Sequence, residues 1–146
     1  MNGLARTETD APVPDPKATK PAMLPHKPED WPRLFVQYLN SGDLEAVAAL
    51  YAPNARFVAR SGETIVGRDR IRDMVTRMIR SKTKLPSQVV RAISVDDIAV
   101  LYTNFQGTTT DASEKTIDAC YNAVEVLRRQ PDGCWKLIVG DPNGRE

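Results

Sequence analysis

Residues Lys115–Gly140 read KTIDACYNAVEVLRRQPDGCWKLIVG, and this stretch decides the fold. From Lys115 to Arg129 the chain has the period of a strand, in which alternate residues face opposite ways. One face carries Ala119, Tyr121, Ala123, Glu125 and Leu127; the other carries Asp118, Asn122, Val124, Val126 and Arg128. Gln130-Pro131-Asp132-Gly133 is a turn, with proline at its second position and glycine at its last. Cys134–Gly140 then returns as a second strand, and Asp141-Pro142-Asn143-Gly144 stops it. The stretch is a long antiparallel hairpin.

Upstream, two more strands precede it. Gln88–Val95 and Ile98–Gln106 follow the same period of two, joined at Asp96-Asp97, and Gly107–Glu114 reads as a polar loop. Before Lys84 the period is 3.6. Trp31, Leu34, Phe35, Tyr38 and Leu39 form the apolar stripe of a helix over Pro28–Asn40, whose prolines suit its first turn. Ser41-Gly42 ends that helix and Asp43 caps a second one, with Leu44, Val47, Ala48 and Tyr51 on its apolar side. Pro53-Asn54 breaks it. Ala55–Arg60 and Thr64–Val66 are short strands around a Ser61-Gly62 turn. Ile71, Met74, Val75, Met78 and Ile79 mark a third helix from Arg68 to about Ser81, with Arg70, Arg72, Asp73, Arg77 and Arg80 on its solvated face. Helices gathered early and antiparallel strands gathered late give an α+β class. The expectation is a cone-shaped domain over 28–146, in which three N-terminal helices pack on a curved antiparallel sheet and leave a small-molecule pocket between them. Residues 1–27 hold five prolines among Ala, Thr, Asp and Lys with no hydrophobic period, and read as a disordered tail.

The composition excludes several functions. A net charge of +1 gives no electrostatic reason to expect nucleic acid or an anionic membrane as partner. No apolar run approaches the roughly 18 residues of a membrane span. The N-terminus lacks a signal-peptide core, and Asn2 offers no glycine to myristoylate. The expected location is therefore the cytoplasm. His26, in the tail, is the one histidine, which removes most zinc sites and His-based triads. Cys120 and Cys134 lie roughly 30 Å apart along the hairpin, too far for a disulfide. Phosphate-binding loops, dinucleotide fingerprints and nucleophile elbows are absent, so no cofactor and no metal are expected.

The runs Trp31-Pro32-Arg33-Leu34-Phe35, Gly42-Asp43-Leu44-Glu45-Ala46-Val47, Leu50-Tyr51-Ala52-Pro53-Asn54-Ala55-Arg56-Phe57 and Gly67-Arg68-Asp69-Arg70-Ile71 resemble the opening of the nuclear-transport-factor-2-like superfamily. Val126–Leu137 resembles its closing hairpin. Ketosteroid isomerases and SnoaL-like polyketide cyclases belong to that superfamily, whose members share the cone-shaped, cystatin-like fold. The resemblance implies the fold more than the activity, because the fold hosts isomerases, cyclases, dehydratases, carriers and assembly domains. It also aligns three positions. The isomerases' carboxylate base falls on Ala59, which cannot take a proton. Their oxyanion-hole tyrosine falls on Phe35, which has no hydroxyl. Their second oxyanion-hole acid falls on Glu125, and the acid of SnoaL-like cyclases falls in the same column. The known steroid isomerase arrangement is thus incomplete here.

Glu125 is accordingly the candidate catalytic residue. An acid on an otherwise apolar strand face is desolvated, and its pKa rises toward neutrality. Which face of Lys115–Arg129 lines the pocket stays open from sequence alone. Phe35, Tyr38, Phe57, Ala59, Met74, Tyr102, Asn104 and Tyr121 are the candidate substrate-binding residues: tyrosines to donate to a ligand oxygen, a mid-strand asparagine needing a partner, and apolar groups to wall the pocket. The expected partner is a small apolar molecule bearing a carbonyl, acted on by cofactor-free isomerisation, cyclisation or dehydration. Non-catalytic ligand binding and a homodimeric assembly domain are the competing readings, and the expected assembly is a homodimer.

Overall fold

The computed structural model describes residues 22–145. A 3-10 turn, Pro28–Asp30, leads into α1 (Trp31–Ser41), with Pro32 in its first turn where a missing N–H costs nothing. Gly42 ends α1 at φ 74°, a left-handed conformation that glycine adopts without strain. Asp43 then caps α2 (Leu44–Ala49) by accepting from the Ala46 N–H at 3.1 Å. α3 spans Arg68–Arg80. The strands are β1 (Tyr51–Val58), β2 (Thr64–Val66), β3 (Ser87–Val95), β4 (Ile98–Thr110), β5 (Thr116–Arg129) and β6 (Trp135–Asp141).

The six strands form one sheet in the order β2-β1-β6-β5-β4-β3. The expected antiparallel sheet is in fact mixed, because β1 runs parallel to β6 while every other neighbouring pair is antiparallel. β1 also begins earlier than its pattern predicts. The second helix was expected to extend to Tyr51, but it stops at Ala49. The Leu50 carbonyl is claimed there by two donors, the Trp31 indole N–H at 2.8 Å and the Leu137 N–H at 2.9 Å, which turn the chain into the sheet. Pro53 lies within β1 where the register with β6 shifts, so its missing donor breaks no regular ladder.

A second correction concerns the polar loop expected over Gly107–Glu114. β4 continues to Thr110, and Gly107 through Thr110 pair with Ala119 through Thr116. Threonines suit a strand. Gly107 admits a crossing chain: a Cβ there would stand 1.8 Å from the Lys84 carbonyl oxygen.

Register shifts between β3 and β4 and between β5 and β6 accompany the curvature. The helices lie on the concave face, where Leu34, Leu39, Val47, Ile71 and Val75 pack against Leu101, Leu127 and Leu137. Each fully buried Leu, Ile or Val contributes about 1.5–3 kcal/mol over exposure. β4 buries its odd-numbered residues from Ala99 to Phe105, and β5 its odd-numbered residues from Ala119 to Leu127, Tyr121 only partly. The other face of the sheet is partly open. β3 is an edge strand with Val90, Ile93 and Val95 exposed.

Of the segment expected to be disordered, residues 1–21 lie outside the described residues. Residues 22–27 form no helix or strand, yet Pro25 is buried and its carbonyl accepts from the Trp135 N–H at 2.8 Å. Among the described residues no helix is long and apolar enough to cross a membrane. Both cysteines are free thiols.

Candidate functional site

Between the helices and the concave face lies a cavity of about 260 Å³. Its deep wall is aromatic. Trp31 and Phe35 stack at 5.3 Å on one side of α1, Phe35 meets Phe105 of β4 edge to face at 5.9 Å, and Tyr51 of β1 abuts Trp31 at 5.5 Å. Ile65, Leu85, Ala123 and Leu137 complete an apolar interior, with Met74 and Met78 of α3 above it.

Glu125 enters this interior from β5. Its neighbours across the sheet are Leu101 and Gly140, and its side chain is buried with 5% residue exposure. Gly140 also borders the cavity; a Cβ there would come within 3.3 Å of both Phe57 and Leu137. The Thr103 hydroxyl donates to Glu125 Oε1 at 2.8 Å. Among the described residues the carboxyl makes no other hydrogen bond, so Oε2 has no protein partner. Burial pushes the Glu125 pKa up to about 7, against the smaller lowering effect of the Thr103 hydrogen bond. Burial, and then the charge of Glu125, hold the Tyr51 phenol far above its ordinary pKa, so at neutral pH it is a neutral donor. A third polar group borders the space: Asn143 Oδ1 is buried and, among the described residues, has no hydrogen-bond partner. A buried acceptor of this kind is costly unless something supplies a proton donor.

Six of the nine residues singled out from sequence converge on the cavity: Glu125, Phe35, Phe57, Ala59, Met74 and Tyr121. Three do not. Tyr102 and Asn104 are even-numbered residues of β4 and point to the opposite face of the sheet from Leu101, Thr103 and Phe105. There the guanidinium groups of Arg91 and Arg145 stand 6.0 and 5.8 Å from the centre of the Tyr102 ring, and the Asn104 side-chain oxygen accepts from Arg145 at 2.6 Å. Tyr38 is buried on α1, but its hydroxyl donates to the Met23 carbonyl at 2.7 Å instead of reaching the cavity.

Two cavity-side residues are not marked by the sequence pattern: Tyr51, whose spacing suits the apolar side of a helix, and Thr103, whose pairing opposite Ala123 puts it beside Glu125. Arg60, Arg77 and Asn143 are not marked either; they reach the cavity from a hairpin, a helix and the turn after β6. The β4–β5 alternation was the available signal for Thr103; nothing local signals the others. Cys134 lies away from the cavity lining, and burial followed by the Asp132 charge raises its thiol pKa, which disfavours the thiolate. Among the described residues no three His, Cys, Asp or Glu side chains converge as a metal would require.

The SnoaL-like domain family matches residues 33–138. The chain belongs to the SnoaL-like domain family. Solved structures share this domain's fold. A ketosteroid isomerase-like protein from Erwinia carotovora atroseptica is 19% identical, covering 77% of this chain and 89% of its own, with a TM-score of 0.70. A protein with a cystatin-like fold from Caulobacter vibrioides is 16% identical over 79% of this chain and 84% of its own, TM-score 0.65. A candidate dehydratase of the NTF2-like family from Streptomyces avermitilis is 16% identical over 76% and 88%, TM-score 0.64. No curated protein matches the sequence. The SnoaL-like domain therefore accounts for the α+β architecture and the cavity, and its chemistry must be read from its own side chains.

Proposed function

We propose that this SnoaL-like domain binds a small apolar carbonyl compound in its cavity and moves a proton on it with Glu125. The observation that carries the reading is a single carboxyl, Glu125, buried in an apolar cavity and bonded to the Thr103 hydroxyl; burial pushes its pKa up to about 7. Such a group is a competent base and a competent acid at neutral pH. The ionised carboxylate takes a proton from the carbon next to the carbonyl. The electron pair moves onto the carbonyl oxygen, where the Tyr51 phenol donates a hydrogen bond to the enolate. Glu125, now protonated, returns its proton to a different carbon for an isomerisation, or to a departing hydroxyl for a dehydration. Each step is redox-neutral. Ala59 and Phe35 border the cavity without a titratable group or hydroxyl, so base and acid roles both fall to Glu125.

The test uses 2-tetralone, a bicyclic ketone, in deuterated water. We expect the protein to accelerate hydrogen–deuterium exchange beside the carbonyl, with a rate that rises through pH 7 as Glu125 ionises. Glu125→Gln should lose most of the acceleration, about 10²-fold or more. Binding of the ketone with exchange no faster than in buffer would instead establish a carrier.

Pairing of two copies is a second reading, supported by the exposed apolar side chains along edge strand β3. Sedimentation at micromolar concentration should then give twice the 16.2 kDa chain mass; a strictly monomeric mass would remove it.

A further inference from the structure

The apolar cavity is bordered by two cations. Arg60 follows β1 at its turn toward β2, and Arg77 lies on α3; both line the cavity and both are exposed, which places them at its mouth. The Arg60 guanidinium stands 5.9 Å from the centre of the Tyr121 ring, itself part of the wall. The rim also holds one acid, Asp141, whose Oδ1 accepts the Asn143 N–H at 3.2 Å and so closes its own turn. Among the described residues neither Arg60 nor Arg77 makes a salt bridge, whereas Arg72, on the same helix as Arg77, pairs with Glu45. The interior is of opposite character: Trp31, Phe35, Phe105 and Leu137 with the Glu125 carboxyl among them. An anion pushed that deep would lose its hydration and meet a second acid. At the mouth it would keep water and gain two guanidinium groups.

Size adds a limit. A dry cavity of about 150 Å³ accepts one benzene ring, so the cavity of about 260 Å³ suits a body of one or two rings. We propose that the ligand is a one- or two-ring molecule with a carboxylate, its apolar body inside and its carboxylate at the mouth between Arg60 and Arg77. This deepens the proposed function and rests on the cavity being a ligand site.

The test compares 2-naphthoate with its neutral counterpart 2-naphthamide, following quenching of tryptophan fluorescence from Trp31 in the cavity wall. The full chain should bind the carboxylate about tenfold more tightly at low salt, the sum of two solvent-exposed ion pairs. The preference should fall with added salt. The double variant Arg60→Gln, Arg77→Gln should lose the preference while binding the amide as before, which shows that the cavity is intact. Equal binding of the two compounds by the unaltered protein, or a preference that survives in the double variant, would overturn the anion site and leave the cavity standing. Failure of both compounds to quench would overturn the ligand cavity itself and the proposal with it.

Discussion

Glu125 shows how one residue's chemistry follows from its place in an alternation. Odd-numbered residues of β5 face the helices, so the acid enters an apolar space among Ala123, Leu127 and Leu137. That placement has a cost that depends on pH. Burial pushes the carboxyl's pKa from its ordinary 4.5 up to about 7. Below the lower value both states are protonated and the group is neutral in the balance. Between the two values the unfolded chain ionises while the native state keeps its proton, so stability falls as pH rises. Above the upper value the loss is complete, on the order of 3 kcal/mol. Glu125→Gln, which keeps the shape without the charge, should therefore match the native protein near pH 4.5 in urea unfolding. It should exceed the native protein increasingly up to pH 8, and a gap that does not change with pH would contradict the burial of the charge. The same alternation explains Tyr102 and Asn104. They sit on the even face of β4, and the register Leu101 opposite Glu125 and Thr103 opposite Ala123 sets that face outward. Their residue types suit a binding site; their parity does not.

At the scale of elements, the long hairpin β5–β6 and helices α1 and α3 are legible because each has a sustained period and a punctuating turn or cap. α2 and β1 are less so. The apolar run Leu44 to Tyr51 has helical spacing, but a tertiary contact decides its end, where Trp31 and Leu137 both bond the Leu50 carbonyl. No local pattern carries that information. The extension of β4 through Gly107 to Thr110 has a similar cause. Glycine and three threonines read as a loop until the Lys84 backbone is seen crossing Gly107, bridged to Thr108 on both hydrogen-bonding sides at 2.9 and 3.0 Å. The parallel pairing of β1 with β6 joins residues more than eighty positions apart, and only the closing of the cone brings them together.

For the whole molecule, element order alone gives helices first, strands last, and a sheet whose single concave face the helices must cover. The cavity is what remains where that cover meets the curved sheet. Its apolar lining and its acid were readable because both belong to regular elements. Its mouth was not, since Arg60 and Arg77 come from a turn and from a helix face that looks merely solvated. The central claim is that the fold buries one carboxyl in this cavity and tunes it for proton transfer at neutral pH. The direct measurement is a carbon-13 NMR titration of the glutamate side-chain carboxyls, with the Glu125 signal assigned by its absence in Glu125→Gln. A midpoint near 7 is the result this account predicts; a midpoint near 4.5, the value for a carboxyl in water, would contradict it.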